Sequence, residues 1–253
     1  YHTILIAKNF DGVKEINTLV DLSTRPDHMY YKPRITFDEF FNISDNVIKI
    51  SACLASPLSK YPSFVGKCID EKVEELQKNK QVEADKIYSA LNTEEAKEAW
   101  LNDDSIIHNN SYEVYIEQCV EKSNSSFDGK IEEAKSELDN ARIIYDKLMR
   151  TYDYYEIQPH IKSIDQIKYN KMLYQASKKY NKPLIAGTDT HSIDSYKAEC
   201  RSILQKAKHI EFSNEDEFDL TYKSYDELVS TFKQQGSLPM EVVLEAIENT
   251  NRM

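Results

Sequence analysis

The sequence predicts an α/β fold in which a parallel sheet and its helices are interrupted by a helical insertion. Two observations carry this. Residues 1–60 and 151–253 alternate short apolar, β-branched runs with stretches of helical period, the pattern of strands joined by crossover helices. Residues 61–150 are charged, nearly free of glycine and periodic at helical spacing. Five glycines and seven prolines in 253 residues, against 30% charged residues, fit a helix-rich chain with few tight hairpins.

Thr3-Ile4-Leu5-Ile6-Ala7 reads as a strand, and Val13, Ile16, Leu19 and Val20 give the helical spacing of an element just after it. Thr36-Phe37-Asp38-Glu39 has the form of a capping box, in which hydroxyl and carboxylate satisfy the orphan N–H groups of a helix start. Val47-Ile48-Lys49-Ile50 is a second buried strand running into Ser51-Ala52-Cys53-Leu54. In the middle, Ile131, Ala134, Leu138, Ala141, Tyr145 and Leu148 form one apolar stripe, with Asp128 placed to cap its start. Two readings stay open for it, a docking surface for a partner helix or a hairpin packed on itself. Beyond residue 151, Tyr154-Tyr155-Glu156-Ile157 and Pro183-Leu184-Ile185-Ala186 read as strands. Ser163 to Gln166 and Ser224 to Glu227 read as capping boxes, the first opening a helix to about Tyr180, and Pro239 stands near the start of a final helix.

Composition narrows the function classes. No run approaches the roughly 18 apolar residues of a membrane span, and no basic-then-apolar signal region opens the chain, so a cytoplasmic location is expected. The four cysteines form no CxxC pair, which speaks against a zinc ribbon or a disulfide scaffold. A net charge of −11 repels phosphate backbones, so little direct nucleic-acid binding is expected. A Gly-rich phosphate loop, a GxSxG elbow and an HExxH helix are all missing from the sequence, which disfavours P-loop and serine-hydrolase chemistry.

The most informative stretch runs from Pro183 to His191. There an apolar strand ends in a small-residue turn that presents Asp189 and His191 two positions apart. Strand carboxyl ends are where α/β folds build function, and one hard oxygen with one imidazole suits zinc, manganese or iron. The alternative is a histidine that caps the helix starting near Ser192. His2 at a strand edge and Cys53 after a strand carry no signal singly, since each is commonly a solvated or a small buried side chain. His160, in Glu156-Ile157-Gln158-Pro159-His160, follows a strand and is placed at the same rim. His28, His108 and His209 lie in polar stretches, are expected to be exposed, and receive no role.

Together several segments resemble the PHP (polymerase and histidinol phosphatase) domain of bacterial DNA polymerase III alpha subunits. His2 to Asn9, followed by Gly12, resembles that family's histidine-led strand with its LLAKN ending, and Tyr30 to Ile35 resembles its YYKPRI stretch. Val47 to Leu54 resembles the strand ending in SGCL, with Ala52 in place of glycine. Glu156 to His160 resembles EIQNH, and Ala186 to His191 resembles ATNDxH. The resemblance covers the two outer regions and leaves 61–150 as the insertion.

What the resemblance implies follows from these matches. The family's fold makes the expectation a partial, distorted β/α barrel of about four parallel strands. His2, Cys53, Asp189 and His191 become metal-ligand positions, with zinc or manganese as the cofactor. The family's opening HxH strand and its following ligands have no counterpart, so the chain is expected to be a piece of a longer polypeptide with an incomplete cluster. The implied parent takes part in DNA replication, either as a metal-dependent phosphoesterase with 3′–5′ proofreading or as a non-catalytic scaffold. A free phosphatase acting on small phosphate esters is the third reading. Implied partners are the rest of the polymerase polypeptide and its exonuclease or clamp subunits. The open strand edges of a partial barrel also predict a homodimer.

Overall fold

The computed structural model of the protein describes residues 1–103, 110–209 and 218–253. The chain divides into two compact units, Tyr1–Tyr61 with Tyr145–Met253, and Pro62–Ile144.

In the first unit, β1 (Ile4–Ala7) leads into α1 (Phe10–Ser23) through Asn9, whose side chain accepts the Gly12 N–H. Gly12 is required there, because a Cβ would sit 2.3 Å from the Asn46 carbonyl oxygen. A two-residue hairpin, β2 (Met29–Tyr30) and β3 (Lys32–Pro33), and the short α2 (Phe37–Phe41) lead to β4 (Val47–Ile50). After the helical unit come β5 (Tyr155–Ile157), α6 (Ile164–Tyr180) and β6 (Leu184–Ala186). Then follow α7 (Ser195–Ala207), α8 (Tyr225–Gln235) and α9 (Met240–Arg252). Asn249 of α9 donates to the Leu184 carbonyl and holds the helix on β6.

The expectation of a barrel with about four parallel strands is overturned. Among the described residues the strands form three two-stranded sheets. β1 pairs antiparallel with β4, β2 antiparallel with β3, and β5 parallel with β6. A single parallel bridge, Ile50 to Tyr154, links β4 to β5. The reason lies in the β1 to β4 connection. α1 carries the chain from the Lys8–Asn46 end of the β1–β4 ladder to the other, and residues 24–46 carry it back, so β4 runs down against β1. A parallel pair needs one crossover and no return leg. Strands of two to four residues are also too short to close a barrel.

All four β4 residues are buried, and Ile48 and Ile50 pack with Ile185 and Tyr154. Lys49 is buried too, its Nζ donating to the Ser44 and Val47 carbonyls with Asp153 at 3.6 Å. Ser163 accepts the Gln166 N–H at the start of α6, and Thr36 and Ser224 form reciprocal capping boxes with Glu39 and Glu227.

The second unit is made from α3 (Pro57–Leu91), α4 (Glu94–Leu101) and α5 (Tyr112–Thr151), the outer two of which also extend into the first. Lys72 pairs with Glu137 and Lys80 with Asp128, so α3 and α5 run antiparallel. Ile131, Ala134 and Ala141 of the stripe are buried. Asp128 lies in the middle of α5, and its partner is Lys80 rather than a helix start, which corrects the capping expectation. No helix among the described residues is long and apolar enough to cross a membrane.

Candidate functional site

The carboxyl ends of β4, β5 and β6 and the amino end of β1 meet at one end of the first unit. β1 enters this rim because it is antiparallel to β4. The His2 N–H donates to the Ala55 carbonyl at 2.8 Å, two residues past Cys53. The rim therefore gathers His2, Cys53, His160, Asp189 and His191 from segments nearly the whole chain apart.

Two non-glycine residues in the left-handed region shape it, Ala52 (φ 59°) beside Cys53 and Asp189 itself (φ 50°). Such conformations cost on the order of 1 kcal/mol each and collect where geometry matters for function. Burial pushes the Cys53 thiol up from its ordinary value, and the nearby Asp189 and Glu156 carboxylates push it further. A reactive thiolate needs the opposite surroundings.

His191 donates from Nδ1 to the Asp189 carbonyl oxygen at 2.8 Å, with the Asp189 carboxylate 3.9 Å away. That bond fixes the tautomer and leaves Nε2 free to accept or to ligate. The loop is tied down by the His191 and Ser192 N–H groups, both donating to the Leu220 carbonyl. The capping alternative fails: α7 begins at Ser195 and is capped by Asp194.

Glu156 was read from sequence only as a strand residue, yet it is 6% exposed and lies at the centre of the rim. Burial raises its pKa, the hydrogen bond from Gln158 Nε2 (2.8 Å) opposes the shift, and Asp189 adds to it. The carboxyl group lies over Gly187, where a Cβ would stand 2.1 Å from Oε1. An acidic residue in a short apolar strand, with glycine at the end of the neighbouring strand, is the signal that could have found it.

His160 is 2% exposed, and neither ring nitrogen has a hydrogen-bond partner among the described residues. Its ring meets Phe218 edge-on at 4.7 Å. Burial pushes its pKa down to about 4, with Lys223 and His191 adding to the effect and Asp219 opposing it. A buried network holds it in place. Asn170 brackets the Gln158 backbone, and Gln235 Nε2 donates to the Gln158 and His160 carbonyls. Orphaned buried imidazole nitrogens call for a bound water, ion or ligand.

Thiol, carboxylate and imidazole donors suit a divalent transition metal. Their positions give one close pair, Asp189 with His191, and one electrostatic neighbourhood, Cys53 with Glu156 and Asp189. His2 is placed by its backbone. Among the described residues no three His, Cys, Asp or Glu side chains gather into a group that would hold an ion. The rim as it stands does not supply a coordination shell.

Of the other histidines, His209 is exposed, and His108 lies outside the described residues. His28 corrects the expectation of exposure: its side chain is 12% exposed between Asp27 (3.0 Å) and Glu39 (2.7 Å), whose hydrogen bonds raise its pKa. The chain matches no family model and no curated protein.

Proposed function

We propose that this chain acts as part of the PHP domain of a replicative DNA polymerase alpha subunit, and that its rim is one wall of a metal-dependent phosphoester site. The observation that carries the reading is the meeting of His2, Cys53, Asp189 and His191 at one rim. These four positions were selected by the resemblance before any geometry was considered. The strained Asp189 and the free Nε2 of His191 add support, since both are arrangements that a ligand-binding loop uses.

Zinc or manganese bound at a complete site of this kind would polarise the phosphate and lower the pKa of an attacking water. This chain's own part is to present Asp189 and His191 as a pair, with Cys53 and Glu156 behind them. Without a third gathered donor the chain by itself is inactive. Its role in the replicase is then to complete the site with other parts of the polypeptide and to support docking of the exonuclease or clamp subunits.

The test is metal content after loading with zinc or manganese, together with turnover of a chromogenic phosphodiester. Weak retention is expected, cut at least fivefold by Asp189→Ala or His191→Ala, a loss of roughly 1 kcal/mol in binding, with no turnover. Equal retention in wild type and both variants would remove the rim as a metal site. Turnover abolished by Asp189→Ala would show the chain to be a complete enzyme.

A further inference from the structure

The free edge of β1 is the feature that the proposed function leaves unused. Lys8 N–H donates to the Asn46 carbonyl, and the register pairs Ile4 with Ile50 and Ile6 with Ile48. The even-numbered backbone groups are therefore spent on β4, and those of Thr3, Leu5 and Ala7 point the other way. No strand pairs with that side among the described residues. An edge of this kind is a template for another strand.

Side chains on the two faces of β1 define what fits. Ile4 and Ile6 stand on one face, 40% and 38% exposed. On the other, Thr3 and Leu5 line a cleft of about 640 Å³ with Ile16, Leu19, Val20 and Ile35. From Thr3 to Ala7 the strand carries no charge, and Lys8 falls at its end. The devices that natural edges use against self-pairing, an inward charge, a proline or a bulge, are missing from this stretch.

We propose that β1 pairs antiparallel with β1 of a second copy of this chain, on a two-fold axis through Leu5. In this register Thr3 faces Ala7 of the other copy and Leu5 faces Leu5, so the unspent backbone groups bond each other. Ile4 then lies opposite Ile6 twice over, in the non-hydrogen-bonded positions where side chains approach most closely. The odd-numbered side chains of each copy enter the cleft beside β1 of the other. A second copy is favoured over a foreign strand because the same uncharged apolar pattern serves as both donor and acceptor edge. Five residues and one cleft bury well under the ~800 Å² per partner of a stable assembly. The pair is accordingly weak, and two chains of net charge −11 oppose it until salt screens them.

Sedimentation velocity of the 253-residue chain from about 5 to 500 µM tests this, and half-dimerisation near 100 µM is expected, severalfold tighter at about 0.5 M salt. Ile6→Lys should weaken association at least tenfold, whereas Ile193→Lys, at a site 75% exposed elsewhere, should leave it unchanged. Amide exchange of the wild-type chain gives a second readout that depends on no variant: Thr3, Leu5 and Ala7 should become protected as concentration rises. A monomer at every concentration would overturn the proposal and leave the edge to a foreign strand. A dimer indifferent to Ile6→Lys, with no protection at these amides, would place the interface elsewhere and overturn it equally.

Discussion

At the scale of single residues, His160 is the most informative side chain in the protein. Its pKa is about 4 in the fold against an ordinary 6.5, so the unfolded chain takes up a proton first as pH falls. Native stability is then unaffected by His160 above about pH 6.5 and declines toward pH 4, by on the order of 3 kcal/mol in all. His160→Gln should flatten that part of the profile, measured by urea unfolding at several pH values; an unchanged slope would show that His160 is not the group responsible. Glu156 has the opposite sign. Its raised pKa favours the fold below the ordinary carboxylate range and disfavours it as pH rises through the folded value. The Asp189 and His191 pair was legible in the sequence, because a strand followed by small residues and two donors is a local pattern. His160 was placed at the rim but its burial was not legible, and Glu156 was missed. Both owe their character to neighbours far away in sequence, Lys223 and Phe218 for one, Gly187 and Asp189 for the other.

At the scale of elements, local chemistry was legible and pairing was not. The capping boxes at Thr36 and Ser224 stand as read, because a cap needs only four consecutive residues. β1, β4, β5 and β6 lie where apolar runs placed them. The direction of β1 relative to β4 was misjudged, since alternation of strand and helix implied a parallel pair while residues 24–46 supply a return leg. The close approach of β5 and β6 makes a sharp prediction. Gly187→Ala should destabilise the fold by about 2–3 kcal/mol, because its Cβ overlaps the Glu156 carboxyl. Adding Glu156→Ala should recover at least about 1 kcal/mol of that loss. Thermal or urea unfolding of the four members of the cycle decides it, and strict additivity would mean that the two residues do not compete for space.

At the scale of the whole molecule, charge decides what the protein avoids. With 43 acidic against 32 basic side chains, it should bind duplex DNA more weakly than about 100 µM at about 0.15 M salt, as read by fluorescence anisotropy. Tighter, salt-sensitive binding would reveal a basic face that the net charge conceals. The same acidity makes association between copies strengthen with salt, the reverse of the dependence for DNA.

The sequence by itself determined the segments: the helical character of the middle region, the strands, the caps and the Asp189–His191 pair. Each depends on residues within a few positions of one another, where periodicity and capping act. Tertiary structure alone decided that β1 is antiparallel to β4 and thereby brings His2 to the rim. It alone turned Glu156 and His160 into desolvated, perturbed groups, and it left one edge of β1 open. These outcomes depend on which distant segments exclude water from which side chains, and burial of that kind is a property of the folded contacts rather than of any local pattern.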